Sequence, residues 1–369
     1  MKHNAFLEKL LQGASVEWKT LGEVAIIRHG RDWKSLGAGN IPVYGSGGIM
    51  GYVNKYTYQK ESVLIPRKGT ITNLFYVNKP FWNVDTIYYT EIDASQIFPK
   101  FLFYFLKTID FMKLDTGSGR PSLTQAILNK IQIPIPPLSV QQEIVKILDT
   151  LTALTSELTS ELTSELTLRQ KQYQHYRDKL LTFGDEVEWK TLGEVAPPIR
   201  GKRVVRAELS ENGEYPVYQN SLKPLGFYDK TNCRKYSTFI IAAGAAGEVG
   251  FSDVDFWAAD DCYYFKCPEI LNDKFLYYFL LKENHKLFSQ VRRASIPRLG
   301  KTAIESLKIP LPPLEEQKRI ATILDKFHTL TSSLSDGLPK EIELRQKQYE
   351  YYRDLLLNFK QDEASLSPS

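Results

Sequence analysis

The chain contains few of the residues that build metal or disulfide sites, and it has no long apolar run. Among its 369 residues are three cysteines and five histidines. Cys262 and Cys267 flank four residues, Cys233 is distant, and no histidine cluster accompanies them. This pattern predicts reduced core thiols and no metal site. The N-terminal stretch lacks the apolar core of a signal peptide, and no run approaches the ~20 apolar residues of a membrane span. We therefore expect a cytoplasmic protein.

Motifs that carry catalysis are also missing. Gly300–Thr302 reads GKT, like the end of a phosphate-binding loop, but the required first glycine would stand at Ser295. The Gly45–Gly47 segment lacks the third glycine of a nucleotide-binding fingerprint, because Met50 occupies its place. NKPF at Asn78–Phe81 resembles the Asn-Pro-Pro-aromatic motif of amino-methyltransferases, but lysine replaces its first proline. We predict a chain without catalytic residues that binds no cofactor or metal itself.

The composition is that of a folded protein with room for two domains. Hydrophobic residues make up 43% and charged residues 24%, which excludes a disordered chain. The net charge is +4 and aromatic residues reach 12%. This mildly basic balance permits a polyanionic partner without requiring one.

Much of the chain occurs twice. VEWKTLGEVA at Val16–Ala25 returns at Val187–Ala196, and LRQKQYQHYRDKLLTF from Leu168 returns with few changes from Leu344. Identities of this length exclude chance, so the chain contains an internal duplication.

The register of the duplication adds two details. Pro312 matches Pro136 at an offset of 176 residues, whereas Val187 matches Val16 at an offset of 171. The second copy therefore contains five additional residues between these points. The N-terminal FLEKLLQGASVEW also resembles the stretch from Tyr176, which predicts a cyclic arrangement with the N-terminus near the end of the second long helix.

Each copy opens with a variable segment of mixed secondary structure. Short aromatic and β-branched runs predict strands that begin at Ser62, Asn73, Thr86, Ser237 and Asp261. Helices are expected around Lys100–Lys113 and Asp273–Gln290, and the PxPPL segments should be extended. Loops between the shared stretches differ between the copies. Variable loops on a common frame indicate recognition.

A long helix follows each variable segment. Residues 139–183 contain neither glycine nor proline. One apolar stripe at three- and four-residue steps is predicted to include Leu151, Leu154, Leu158, Leu162 and Leu166. Such a stripe needs a partner, and the second copy from about Glu315 to Phe359 should pack against it in antiparallel orientation. A kink or short break is expected at Asp336–Pro339.

Taken together, these features resemble the specificity subunits of type I restriction–modification systems. The resemblance rests on GSGGIMGY, PFWNVDTIYY and IPIPPLSVQQEIVKILD, on the duplication, and on the tetrapeptide repeat of the central helix. It implies an α+β fold, with two pseudo-symmetric target recognition domains joined by two long antiparallel helices that form a coiled coil. The predicted segments are residues 1–15 completing the cyclic repeat, 16–135 and 184–311 as the two recognition domains, 136–183 and 312–360 as the central and distal spacer helices, and 361–369 as a disordered tail.

The resemblance also implies function and partners. In that family each recognition domain reads one half of a bipartite, asymmetric site in double-stranded DNA. The helices space the domains and dock two modification subunits for adenine methylation, and restriction subunits join the complex. S-adenosylmethionine, ATP and magnesium would belong to those partner subunits.

Polar and basic residues in loops that differ between the copies are the candidates for DNA contact. Arg and Lys mostly bind phosphates, some reach guanine edges, and Asn220 suits adenine. The alternative for each residue is a solvated loop. The candidates are Tyr44, Ser46, Arg67, Lys68, Thr70, Arg120, Ser122 and Thr124 in the first domain, and Lys202, Arg203, Tyr218, Asn220, Ser221, Arg292, Arg293 and Arg298 in the second.

The tract TSELTSELTSEL at Thr155–Leu166 is interpreted as a spacer that sets the gap between the half-sites. The alternative is repeat slippage tolerated in a solvated helix. Two other functions stay open. One is a bivalent protein-interaction scaffold that binds no DNA, and the other is the DNA-recognition subunit of a combined restriction–modification polypeptide.

Overall fold

A computed structural model describes residues 5–117, 119–210, 213–293, 295–332 and 337–359. The chain divides into two compact units. The first unit consists of Met1–Ser160 with Glu343–Ser369, and the second unit is Glu161–Ile342. None of the described helices is both long enough and apolar enough to cross a membrane. The predicted tail, residues 361–369, lies outside the described residues.

The first copy contains nine strands and five α-helices within the described residues. The strands are β1 (Glu17–Thr20), β2 (Ala25–Arg28), β3 (Ile41–Gly45), β4 (Gly48–Val53), β5 (Ser62–Pro66), β6 (Phe75–Val77), β7 (Trp82–Asn83), β8 (Ile87–Ile92) and β9 (Gln132–Ile135). The helices are α1 (Ala5–Leu11), α2 (Leu21–Val24), α3 (Pro99–Leu106), α4 (Gln125–Leu128) and α5 (Leu138–Leu180), with a 3-10 turn at Phe111–Leu114.

Three small sheets build the first unit. The strand orders are β2-β8-β5-β6, β4-β3-β7 and β1-β9, and only the β3–β7 pair is parallel. β5 reads SVLIP and every one of its residues is buried, as expected for a central strand. Phe101 and Leu102 of α3 are fully buried in the core that covers this sheet. The helix predicted at Lys100–Lys113 is shorter than expected, because α3 ends at Leu106.

The second copy repeats these elements. Its strands are β10 (Trp189–Thr191), β11 (Ile199–Arg200), β12 (Tyr215–Tyr218), β13 (Gly226–Tyr228), β14 (Ser237–Ile241), β15 (Val249–Ser252), β16 (Trp257–Ala258), β17 (Cys262–Tyr264) and β18 (Lys308–Pro310). Its helices are α6 (Leu192–Val195), α7 (Asp273–Lys282), α8 (Asn284–Ser289), α9 (Lys301–Glu305), α10 (Leu314–Ser332) and α11 (Leu338–Leu357), with a 3-10 turn at Arg206–Glu208.

The second unit has the same topology as the first. Its strand orders are β11-β17-β14-β15, β13-β12-β16 and β10-β18, and β12–β16 is again the parallel pair. Cys233 and Cys262 are buried in it, and all three cysteines are free. Burial raises the pKa of the Cys233 thiol to about 12. The predicted pair of related α+β domains is therefore confirmed.

Long-helix packing is antiparallel within each unit. In the first unit Leu148 of α5 shares a core with Leu356 of α11, and Thr152 Oγ1 lies 3.2 Å from Tyr349 Oη. Later residues of α5 thus lie beside earlier residues of α11, so the two helices are antiparallel. In the second unit Tyr176 of α5 stacks on Phe327 of α10, with ring centroids 5.4 Å apart, and the earlier Tyr173 lies 6.3 Å from the later His328, which gives the same antiparallel direction.

The apolar stripe of α5 differs from the prediction at one leucine. Leu151 packs against the first core, and Leu158, Leu162 and Leu166 are half-buried. Leu154 is 51% exposed and lies outside the stripe. Leu154 follows Leu151 at a three-residue step, which turns the helix by about 300° and places Leu154 about 60° behind Leu151, whereas a fourth residue lies about 40° ahead of it. The position that faces inward instead is Thr155, which is half-buried.

The structure describes both sides of the interruption expected in the second long helix. α10 ends at Ser332 and α11 begins at Leu338. Residues 333–336, which include Asp336 of the predicted break, lie outside the described residues.

A buried glutamine attaches each long helix to its domain. Gln141 is fully buried; its Oε1 accepts from Phe98 N at 2.8 Å, and its Nε2 donates to the carbonyls of Gln96 and Pro136. Gln317 forms the matching three bonds in the second unit, to Asn272 N, Ile270 O and Pro312 O. The glutamine that follows each PxPPL segment is therefore a fixed hydrogen-bonding link between strand end and helix.

Further along each long helix, an aspartate forms a second attachment to the domain. Asp149 accepts from Lys100 Nζ at 2.7 Å and from Tyr104 Oη at 2.6 Å, both on α3. Asp325 accepts from Lys274 and Tyr278 on α7 at 2.6 Å each. Each of these two aspartates thus connects its long helix to the main helix of its own domain.

The N-terminus completes the first unit. Leu7 of α1 is buried in the same core as Leu356, Leu357 and Phe359. The ring of Phe359 lies 6.1 Å from that of Phe101. The predicted closeness of the N-terminus to the end of the second long helix is therefore found.

Candidate nucleic-acid interface

In the first unit, three loop segments meet at the ends of β3 and β5. The segment after β5 pairs with the segment before α4: Lys68 forms a β-bridge with Ser122, and Gly69 N donates to Pro121 O at 2.9 Å. Gly69 has φ +88°, and a Cβ at this position would lie 3.4 Å from both Ser46 Oγ and Arg120 Nη2. Ser46 and Arg120 therefore converge on this turn. We call Ser46, Arg67, Lys68, Thr70, Arg120 and Ser122 the first cluster.

The first cluster carries positive charge that no acid of its own domain neutralises. Lys68, Thr70 and Arg120 are exposed. Arg67 is half-buried, and its Nη1 donates to the Asp85 carbonyl at 3.3 Å. Within the described ranges, no carboxylate forms an ion pair with any of these three cations. The surface can therefore accept an anionic or acceptor-rich ligand.

Two first-domain candidates have packing or capping contacts instead. Tyr44 lies against Phe75 and Phe81, with ring centroids 5.6 Å and 6.3 Å away, and burial raises the pKa of its hydroxyl. Thr124 is the N-cap of α4 and accepts from Ile127 N at 3.4 Å. Both residues therefore have a contact within the domain, and a contact with DNA stays a prediction.

The second unit forms its cluster at the matching place. Arg298 forms β-bridges with Ala243 and Arg292, and Gly244 N donates to Pro297 O at 3.1 Å. Ala245 N donates to Asn220 O at 2.9 Å, which adds the segment after β12. We call Asn220, Arg292 and Arg298, together with Arg200 described below, the second cluster.

The remaining second-domain candidates are placed differently. The ring of Tyr218 packs against that of Phe239, with centroids 4.6 Å apart and the planes tilted by 31°, as Tyr44 packs in the first domain. Ser221 Oγ donates to the Lys223 carbonyl in its own loop. Arg293 is exposed beside Arg292. Lys202 and Arg203 are exposed on a separate segment, where the Trp257 indole donates to the Lys202 carbonyl at 2.8 Å.

The same backbone bridge occurs in both clusters, but the residue of the bridge that carries positive charge differs between them. In the first unit the cation Lys68 faces the small Ser122, whereas in the second the small Ala243 faces the cation Arg298. Duplication matches Lys68 with Ala243 and Ser122 with Arg298. The backbone frame is therefore shared, while the charged residue of the bridge itself follows β5 in the first unit and precedes α9 in the second.

Sequence reasoning missed Arg200. Its Nε donates to the Asp260 carbonyl at 2.9 Å. In the first unit the matching Asp85 carbonyl accepts from Arg67 instead. The matching turn therefore accepts a hydrogen bond from an arginine of β11 in the second unit and from the arginine that follows β5 in the first unit. The signal was present in RGKR at positions 200–203, but the pairing across the sheet is visible only in the structure.

Asp85 and Asp260, which match in the duplication, lie in separate units. Each belongs to an exposed or half-exposed turn rather than to a shared pair of carboxylates. In the part of the chain that the structure describes, no group of histidine, cysteine and carboxylate residues is arranged to hold a metal ion.

A duplicated α+β domain with polar, variable loop clusters, attached to long helices, defines the class of paired recognition domains. Family comparison agrees. The model of the type I restriction modification DNA specificity domain matches residues 15–168 and again 184–344. The chain therefore belongs to the type I restriction–modification DNA specificity family.

Individual relatives cover nearly the whole chain. A Haemophilus influenzae protein assigned as a type I restriction enzyme specificity subunit is 40% identical, over 97% of this chain and all of the relative. The Escherichia coli EcoR124I/EcoR124II specificity subunit is 33% identical over 99% of each chain.

Solved structures share the fold. A chain from a study of type I restriction–modification complex assembly aligns with a TM-score of 0.65 at 16% identity, covering 93% of this chain and 98% of the other. The Mycoplasma genitalium S subunit aligns with a TM-score of 0.59 at 17% identity, covering 95% and 98%.

Proposed function

We propose that this chain is the sequence-reading subunit of a type I restriction–modification complex and that each of its domains reads one half of a bipartite, asymmetric DNA site. The observation that carries this proposal is the exchange of cations at the Lys68–Ser122 and Ala243–Arg298 bridges. Two domains with one backbone frame and different polar groups at the same place suit two unrelated short sequences. Base edges and phosphates are the acceptors that such arginine and lysine side chains bind.

The partners follow from the duplicated frame. The Gln141 and Gln317 links and the Asp149 and Asp325 links repeat in both units, so the long helix joins its domain in the same way in each. This repeated junction supports two equivalent docking faces. Two equivalent faces suit two copies of one modification subunit. Restriction subunits would complete the complex, which would act on DNA in the cytoplasm.

This chain itself would catalyse nothing. Adenine methylation and DNA cleavage would occur in the partner subunits, which would bind S-adenosylmethionine, ATP and magnesium. The candidate clusters consist of Arg, Lys, Asn, Ser and Thr, with no paired nucleophile and base. They provide binding groups rather than proton-transfer groups.

Co-purification tests the assembly. Co-expression with a modification subunit of a type I system should yield a complex with two modification subunits per copy of this chain, and that complex should methylate adenine within one bipartite motif. Methyl transfer by the isolated chain would contradict the proposal. A complex with one modification subunit would contradict the two-face model.

Duplex binding separates DNA recognition from the scaffold alternative. The complex should bind its motif with an affinity that falls steeply as salt concentration rises, because phosphate contacts release counterions. A scaffold would show no salt-dependent affinity for duplex.

A further inference from the structure

A cavity of about 380 Å³ opens beside the second cluster. Among the residues that line it are Arg200, Arg292 and Arg298, together with Asp261 and Tyr263. The floor is fixed by backbone hydrogen bonds: Leu299 N donates to Ala242 O at 2.8 Å, and Ala242 N donates to Asp261 O at 2.6 Å. These bonds fix the backbone around the cavity, which we call the recess.

The guanidinium groups in this recess keep donors available. Arg200 uses Nε for the Asp260 carbonyl, which leaves its two terminal amino groups for a ligand. Among the described residues, neither Arg200 nor Arg298 has a carboxylate within ion-pair distance. A planar guanidinium with two adjacent donors matches the O6 and N7 acceptors of guanine.

The carboxylate of Asp261 favours a base over a phosphate as the ligand of this cavity. A carboxylate lining the recess repels a phosphate anion but accepts a hydrogen bond from an amino group. Cytosine presents its N4 amino group in the major groove directly beside the O6 of its paired guanine. Arginine donors next to one carboxylate acceptor therefore complement the edge of a G·C pair.

Resting on the proposed function, we propose that this recess reads one G·C pair of the second half-site, with an arginine on guanine and Asp261 on cytosine. The first domain lacks this combination. Duplication places His29, Ser122 and Thr86 where the second domain has Arg200, Arg298 and Asp261. In the first domain the threonine is already engaged, because Thr86 Oγ1 accepts from Ser46 N at 3.4 Å. The two half-sites are thus read by different chemistry at the same place.

The test uses the complete complex and residues taken from the first copy. Arg298→Ser, Arg200→His and Asp261→Thr each replace a recess residue by its counterpart, and all three sites are exposed or half-exposed. Affinities are measured for duplexes in which each base pair of the second half-site is changed in turn. Lys308→Ser removes an exposed cation from β18 of the same unit, outside the cluster, and serves as the control.

The expected result is loss of discrimination at a single base pair. Arg298→Ser or Arg200→His should reduce the preference for G·C at that pair by about 5- to 150-fold, the fold-change of one bidentate contact, and Asp261→Thr should reduce the preference at the same pair. Preferences elsewhere in the second half-site and throughout the first should not change, which also shows that the variants fold.

Two results would overturn the inference. Uniform weakening on all sequences, with the salt slope reduced by about one, would assign the arginines to phosphates. Unchanged preferences in all three variants would remove the recess from recognition. Failure of the proposed function is a separate result, since the unmodified complex would then show no sequence preference at all.

Discussion

Replacing Gln141 by leucine should destabilise the first unit strongly, although leucine is of similar size and is a good helix former. Gln141 is fully buried and forms three hydrogen bonds, to Phe98 N and to the carbonyls of Gln96 and Pro136. Leucine would leave one donor and two acceptors without their partner. The bond to Pro136 is buried, and the other two are partly buried.

The magnitude follows from that burial. Each fully buried group left without a partner costs about 1–3 kcal/mol, and water recovers part of the loss at the two partly buried groups. The sum is about 2–4 kcal/mol of unfolding free energy. For a unit of this size, each kcal/mol lowers Tm by about 2–4 °C, so the expected decrease is about 4–16 °C.

Thermal unfolding of the full-length chain measures this decrease. The control is Gln142→Leu, because Gln142 is the next residue of the same helix and is exposed. Gln317→Leu should reproduce the effect in the second unit, since Gln317 has the same three bonds. A Tm for Gln141→Leu within about 1 °C of that of Gln142→Leu would refute the assigned role of this glutamine.

Two further predictions concern the long helices. Deleting Thr159–Leu162 removes one TSEL repeat, hence about 6 Å of rise and about 40° of net rotation, against about 3.4 Å and roughly 35° per base pair of DNA. The rotation matches one base pair, so both half-sites should keep their bases while the mapped gap shortens by one pair; an unchanged gap with full methylation would refute the spacer. His328 lies among Tyr173, Tyr277 and Tyr278, and its burial lowers its pKa despite the opposing effect of Asp325. Because the unfolded state then binds the proton more readily, its contribution to stability is present above the ordinary histidine pKa near 6.5 and is lost as the pH falls below it. Unfolding midpoints between about pH 7.5 and 5.5 should therefore depend less on pH in His328→Thr than in the parent chain, whereas His175→Thr, at an exposed site, should behave like the parent; equal slopes for both variants would contradict this.

The duplication made most of the fold predictable. Repeated motifs indicated two related domains, and the run without glycine or proline indicated α5 almost to its observed bounds, Leu138–Leu180. The leucine stripe was less predictable. The other leucines of the stripe are at least half-buried, but the three-residue step from Leu151 places Leu154 on the solvent side. Hydrophobic residues alone do not decide which side of a helix has a partner.

The candidate site was predictable as a set of loops and less so as residues. Lys68, Arg120 and Arg298 lie where the two clusters form, whereas Tyr44, Tyr218 and Thr124 have packing or capping contacts. A single sequence shows that a loop is polar but not which loop it pairs with. Arg200 illustrates this limit, because its role depends on a carbonyl sixty residues away in the chain.

The central claim is that the two domains read separate halves of one DNA site, and domain exchange with methylation mapping tests it most directly. Residues 16–135 are replaced by the corresponding domain of a relative, the complex is expressed with its modification subunits, and methylated adenines are located by sequencing. The proposed function predicts that one half of the bipartite motif changes to that of the relative and the other half keeps every base. A change in both halves, or in neither, would contradict it.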